Sequence, residues 1–432
     1  ITWVTGVQTC ALPILICWSK ITSKGTSLRY IPANCLFDSG SPAFWSSSSL
    51  RYYLGFLNSK IAEYILKCKN PTLNCQVGDI KALPILFDNK TAQVETAVAD
   101  CVNISRYDWN SFEISWDFVR HPFLGFKTDD KRIADAFEIW QNFIKMRFEK
   151  LKANEEEINR IFIDIYGLLD ELTPEVEDNY ITIHKADLGR DVRSFISYAV
   201  GCMFGRYSLD VDGLAYAGGK WDTDKYSTFI PDKDNIIPIT DEEYFEDDIV
   251  GLFCAFLKKT FGSETLEENL DFIAKALGNK GNSSRQIIRN YFQKDFFKNH
   301  CKIYKKRPIY WLFDSGKAEG FKAIVYMHRY NEDTIGNLRI DYLHRMQRIY
   351  ESEILRMQEI IENSKDAREM AAATKRKEKL VKQLKETKEY DEKIAHLALA
   401  RIAIELDDGV MVNYEKVQTD TNGKKLEVMA KI

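Results

Sequence analysis

Apolar positions in this chain repeat mostly with a helical period. Between Leu50 and Lys67, Leu54, Leu57, Ile61, Tyr64 and Ile65 recur at three- and four-residue spacing, which predicts one helix. A longer run, Asp130 to Leu172, carries Phe137, Trp140, Ile144, Phe148, Leu151, Ile158 and Phe162 on one face, and Pro174 is expected to stop it. Ala186 to Tyr207 predicts a helix that is buried, because Tyr198 to Phe204 holds only apolar and small residues. Thr265 to Lys298 reads as two helices split by Gly278–Ser283. Ile309 to Phe313 and Phe321 to His328 read as strands around Ser315-Gly316. Ser208 to Pro238, rich in Gly and Asp, is expected to be irregular.

Asp333 to Glu362 and Asp366 to Ile404 are two long charged helices joined at Asn363-Ser364. Ile335, Leu338, Tyr342, Ile349 and Ile360 mark one seam; Leu380, Leu384, Ile394 and Leu397 mark the other. The short joint predicts an antiparallel hairpin. Arms of about 30 residues would each rise roughly 45 Å, and the hairpin is expected to project and carry little of the core. The predicted fold class is therefore mainly α, with a smaller α+β domain, long helices and a C-terminal antiparallel helical hairpin. The expected divisions are 1–14, 15–88, 89–185, 186–331 and 332–432.

Charge is uneven. Sixty Lys+Arg face 64 Asp+Glu over 432 residues, a formal net charge of −4. Residues 1–88 nevertheless hold eight bases against four acids. A nucleic-acid surface, if present, is therefore local. Tyr207 to Phe256 holds twelve acids and three bases, which reads as a solvated acidic face or a partner surface. Lys365 to Lys388, with nine bases and four acids, predicts a basic helix face. No run approaches the ~20 apolar residues of a membrane-spanning helix. Nine cysteines without a C-x-x-C pair fit free thiols in a reducing cytoplasm and argue against a structural zinc site.

Catalytic signatures are missing. The chain has no G-x-G to cradle a cofactor and no adjacent prolines for the loop that accepts an exocyclic amine. It also lacks a P-loop, H-E-x-x-H and G-x-S-x-G. The six histidines lie far apart, and Glu386-Thr387-Lys388 sits in a charged helix, where it is expected to be solvated surface. We expect no catalytic, cofactor-binding or metal-ligating residue in this chain.

Val4 to Ile14 reads VTGVQTCALPI, which matches a translated sequencing-library adapter. Ile1–Ile14 is therefore expected to be an assembly artefact fused to a broken gene, with whatever preceded Leu15 missing. The blocks that follow it occur in a specific order: Trp18–Ser23, Ser27–Tyr30, Leu57–Lys60, Asn70–Asn74, Gln76–Ile80 and Leu83–Ile85. They resemble the target-recognition domain of the large adenine-specific DNA methyltransferases that carry methylase and specificity in one chain. Ser111–Pro122 (SFEISWDFVRHP) resembles the helical connector of that group. Ile161–Asp170, Asp187–Asp212, Arg307–Tyr330 and Asp407–Tyr414 narrow the resemblance to the methyltransferases of type 1 BREX bacteriophage-exclusion systems. It covers Leu15 to about Gln418.

The resemblance implies that the intact protein is an S-adenosylmethionine-dependent enzyme that methylates adenine N6 at a short asymmetric site in double-stranded DNA. It also implies a cytoplasmic location and other BREX proteins as partners. The catalytic half would precede Ile1. This fragment would keep target recognition and partner docking, with no cofactor of its own. The recognition residues would be Ser19, Lys20, Ser23, Lys24, Arg29 and Asn58. Lys and Arg neutralise phosphates, Ser donates to phosphate oxygens, and Arg contacts guanine bidentately. Each also has a plainer reading: 19–29 is a solvated loop, and Asn58 caps a helix. Phe44 and Trp45 are either core residues or aromatic groups that stack or wedge into DNA. The rival reading of the whole chain is a helical protein-interaction scaffold without DNA contact.

Overall fold

The computed structural model describes residues 14–22, 25–33, 35, 39–46, 49–278 and 280–432. The adapter-like stretch, apart from Ile14, lies outside the described residues, as do Ser23 and Lys24. The chain is mainly helical, with two three-stranded antiparallel sheets, as the periodicities predict. It forms two compact units, one built from 1–109 and 141–186, the other from 110–140 and 187–432.

The first unit is organised by the sheet β1 (Leu15–Trp18), β2 (Leu28–Ile31) and β3 (Ala43–Phe44), in the order β2-β1-β3. Ile16, Trp18 and Leu28 turn inward to a core with Tyr52, Phe56, Val98, Ile158 and Phe162. The Trp18 indole N–H donates to the Cys75 carbonyl at 2.9 Å, so the buried ring leaves no polar atom unpaired. The predicted helix over 50–67 is in fact two, Leu50–Leu57 and Lys60–Lys69. Ser59 causes the break, because its hydroxyl accepts from the Ala62 N–H and starts the second helix. The helix Thr91–Asn110, which hydropathy did not single out, lies close to Gly55. A Cβ at Gly55 would sit 2.9 Å from Val98 Cγ2. The long helix Ile133–Ile165 ends well before Pro174. Gly167 stops it by taking φ 64°, while the Leu168 N–H donates to the Ile163 carbonyl at 3.0 Å.

In the second unit, β4 (Ile236–Pro238), β5 (Tyr310–Asp314) and β6 (Lys322–Tyr326) form the sheet β4-β6-β5. The β5–β6 pair matches expectation; β4 falls in the stretch read as irregular. The expected helix over Ser111–Pro122 is instead a succession of turns up to His121. β6 is buried along its whole length, so side chains leave toward both faces. Trp311, Phe313, Ala323 and Val325 join one core with Met346, Tyr350, Leu380, Tyr390 and Ile394. On the other face the Tyr310 ring stacks with Phe204, with centroids 5.6 Å apart.

The helical hairpin is present, as His344–Asn363 and Ala367–Ala400, but it does not project as a thin arm. Its apolar stripe lies in the same core as β5 and β6. Glu386, expected in solvent, accepts from Ser315 Oγ (2.7 Å), Ala318 N–H (2.7 Å) and Gly320 N–H (3.0 Å), clamping the β5–β6 turn. The chain then returns along the outer edge of β5. The Asp314 N–H donates to Val428 O at 3.1 Å, and the Ala430 N–H donates to Leu312 O at 2.9 Å. No described helix is long and apolar enough to cross a membrane.

Because Leu380 is fully buried in this shared core, Leu380→Ala is expected to cost about 2–5 kcal/mol. Urea unfolding of the full chain checks this as a lower midpoint for the second unit. A side chain on a solvated arm would shift stability by no more than about 0.5 kcal/mol.

Candidate nucleic-acid interface

The expected recognition residues separate into two groups. Ser19 and Arg29 are exposed and Lys20 is half-buried, all around the β1–β2 pair. Arg29 stands opposite Cys17 in the register. Among the described residues no carboxylate pairs with the Lys20 ammonium. Its backbone is fixed on both sides: the Lys20 N–H donates to Gly40 O at 3.0 Å, and the Cys75 N–H donates to Lys20 O at 2.8 Å.

Asn58 is placed differently. Its Oδ1 accepts from the Leu28 N–H at 2.9 Å, and its Nδ2 donates to the carbonyls of Leu28 and Leu54, both at 3.1 Å. The amide ties β2 to the end of the helix Leu50–Leu57 and is spent on that task. The neighbouring polar motif also closes on itself. Asn70 Nδ2 donates to Asn74 O (2.7 Å) and Asp79 Oδ2 (2.8 Å), and Asp79 Oδ2 accepts from the Gln76 N–H at 2.7 Å.

Glu155 is a neighbour of Arg29 that sequence reasoning missed. It belongs to the helix Ile133–Ile165, and burial pushes its carboxyl up to about 7, with Glu156 adding to the rise and Arg29 opposing it. Charge counting along the chain could not connect residues 29 and 155. The Phe44/Trp45 pair also resolves. Phe44 packs against Trp18 and Tyr53 at centroid distances of 6.5 and 6.2 Å, whereas Trp45 is exposed.

In the second unit much of the acidic stretch is consumed internally. Asp248, wholly buried, caps the helix Ile249–Phe261 and takes the Arg289 guanidinium on both oxygens at 2.6 and 2.8 Å. Asp241 binds Arg376 (2.7 Å) and Lys379 (2.6 Å), which also removes two bases from the expected basic face. Asp210 accepts from the Thr228 hydroxyl and from the Thr228 and Ser227 N–H groups, and these hydrogen bonds, the hydroxyl's above all, lower its carboxyl to about 2.

Asp232, Asp234 and Asp247 bring one oxygen each within 4.8 Å. The Tyr342 hydroxyl, with its single proton, lies within hydrogen-bond reach of both Asp234 and Asp247. Burial and the neighbouring Asp234 push Asp232 up to about 7, so a retained proton lets the three carboxyls coexist. His121 and His300 are buried, and desolvation lowers both to about 3. His300 Nε2 accepts from the Ile309 and Tyr310 N–H groups at 3.0 and 3.1 Å, a structural use of a neutral ring.

No family model matches the chain. It is 46% identical over 414 residues to the adenine-specific methyltransferase PglX of Lacticaseibacillus casei (strain Zhang), covering 94% of this chain and 34% of that protein. It is 35% identical over 434 residues to the adenine-specific methyltransferase BrxX of Escherichia coli O9:H4 (strain HS), covering 92% of this chain and 35% of that protein. The chain spans about a third of the length of these relatives. Over more than nine-tenths of its own length, then, it is homologous to part of two adenine-specific methyltransferases.

Proposed function

We propose that this chain is the DNA-reading and partner-docking part of a site-specific adenine-N6 DNA methyltransferase of a BREX phage-defence system, acting on duplex DNA in the cytoplasm. The observation that carries this reading is the homology to PglX over 94% of the chain. The local excess of bases in 1–88 supports it, as does the placement of Ser19, Lys20 and Arg29 around one strand pair. In this reading Lys20 and Arg29, with Lys24, neutralise phosphates, and Asn58 positions β2 without touching bases.

Methyl transfer is assigned to the remainder of such an enzyme. S-adenosylmethionine is the donor that the reaction requires, and the linings of two cavities among the described residues do not fit it. These cavities, of about 370 and 550 Å³, are lined by Tyr216, Trp221, Asp234 and Arg329, and by Gln358, Ile361, Lys377 and Val381. Neither wall includes a glycine that would let the backbone approach a nucleoside. Docking of other BREX proteins is assigned to the second unit. There Trp116 lies fully exposed, and the Gly213 N–H, bonded to Val119 O at 2.9 Å, brings exposed Leu214 beside exposed Val119.

Filter binding of the full chain to duplex DNA across a salt series tests the reading. Lys20→Ala/Arg29→Ala is expected to flatten the slope of log K against log salt by at most about two units. Asn58→Ala should leave the slope unchanged while costing about 1–3 kcal/mol of stability, because the Leu28 N–H loses its partner. A slope near zero for the wild-type chain would favour the scaffold reading.

Binding should also respond to pH. The raised Glu155 carboxyl takes up its proton as pH falls from 8 to 6. That removes a negative charge beside Arg29, so wild-type affinity is expected to rise by roughly two- to fivefold over this window. Glu155→Gln, neutral throughout, should already show the tighter binding at pH 8 and lose that part of the pH dependence. Parallel titrations of the two proteins measure the difference.

A further inference from the structure

Among the described residues of the first sheet and its strand ends, Trp45 is the one aromatic residue that the core does not explain. Its neighbour Phe44 is packed against Trp18 and Tyr53, while Trp45 is 57% exposed. The register accounts for the difference. Ile16 pairs with both Tyr30 and Phe44, and Cys17 pairs with both Arg29 and Ala43. Side chains alternate between faces along a strand, so Ile16, Tyr30 and Phe44 share one face, and Cys17, Arg29 and Ala43 share the other. Trp45, one residue beyond Phe44, falls on the Arg29 face. Two strand spacings and two residues of rise place the two backbones roughly 12 Å apart. The same face, continued past the strand ends, holds Ser19 and Ser27, both exposed.

This face therefore offers a planar indole, a guanidinium and two hydroxyls, within the stretch where bases outnumber acids eight to four. That combination matches duplex DNA. The cation and hydroxyls suit phosphate oxygens, and an exposed ring suits the π-face of a base or an opened base step. A protein partner would meet the same ring, but the local positive charge favours a polyanion.

We propose that Trp45 is a base-contacting residue, stacking on or wedging at a base step while Arg29 engages the adjacent phosphate or guanine edge. The inference rests on the DNA-reading function proposed above and names a residue of that same site. Phosphate contacts release counterions and set the salt slope, whereas stacking is nearly independent of salt. The two contributions are thus separable.

The experiment compares the 432-residue chain with Trp45→Ala, Trp45→Phe and Lys20→Ala/Arg29→Ala. The probe is a 30-base-pair duplex pool randomised at its centre, titrated at several salt concentrations, with thermal melting of each protein alongside. Trp45→Ala should bind roughly five- to a hundredfold more weakly at every salt concentration with an unchanged slope. Trp45→Phe should recover most of the loss, and both should melt with the wild type. If wild-type chain binds the pool and Trp45→Ala binds it equally well, the inference is wrong, the DNA-reading function stands, and the indole belongs to a protein contact. A changed slope or a lowered melting temperature in Trp45→Ala makes the ring structural and also overturns it. If the wild-type chain shows no salt-dependent binding, the function proposed above fails, and the role of Trp45 fails with it.

Discussion

Burial of Trp18 is the constraint from which the first unit follows. The side-chain period of a strand is two, so sinking Ile16 and Trp18 into the core commits Cys17 and its partners to the opposite face. The indole N–H bond to Cys75 then locks the 73–76 segment against the same strand. Slipping the register by one residue would bury the Arg29 guanidinium and expose Trp18. The cost of an unpaired buried charge forbids that arrangement. What the surface presents to a ligand is thus decided by what the interior requires.

The second unit depends on a different economy. Its acidic stretch is held by bases far away in the chain: Arg289 for Asp248, and Arg376 with Lys379 for Asp241. The Asp248–Arg289 pair is buried, and removing either partner alone would strand the other charge. These contacts tie the acidic loop to the hairpin and to the helix Ser284–Tyr291.

Periodicity made the helices Ile133–Ile165 and Leu188–Met203, the β5–β6 pair, the Gly278–Ser283 break and the hairpin legible, because each rests on local spacing. What it missed rests on single side chains or on distant partners. The break at Asn58-Ser59 needs a hydroxyl acting as a cap within a pattern that would otherwise continue. The end of Ile133–Ile165 needs a left-handed glycine rather than the proline further on. The hairpin appeared to be an arm because each helix shows one clear stripe; Met346, Tyr350 and Tyr390 extend the buried surface beyond it. At the interface, residue type suggested Asn58 as readily as Arg29, and only three-dimensional partners separate an amide tied to backbone from an exposed guanidinium. The homology itself was carried by motif blocks that composition could not have supplied.

The return of the chain along β5 has one more consequence. β5 is an edge strand of sequence Tyr-Trp-Leu-Phe-Asp, apolar and rich in aromatics. Left open, its row of unpaired N–H and C=O groups would be a template for the same strand of another molecule. The segment around Val428–Ala430 occupies those groups. Besides completing the fold, this short stretch keeps separate copies of the protein from adding to one another strand by strand.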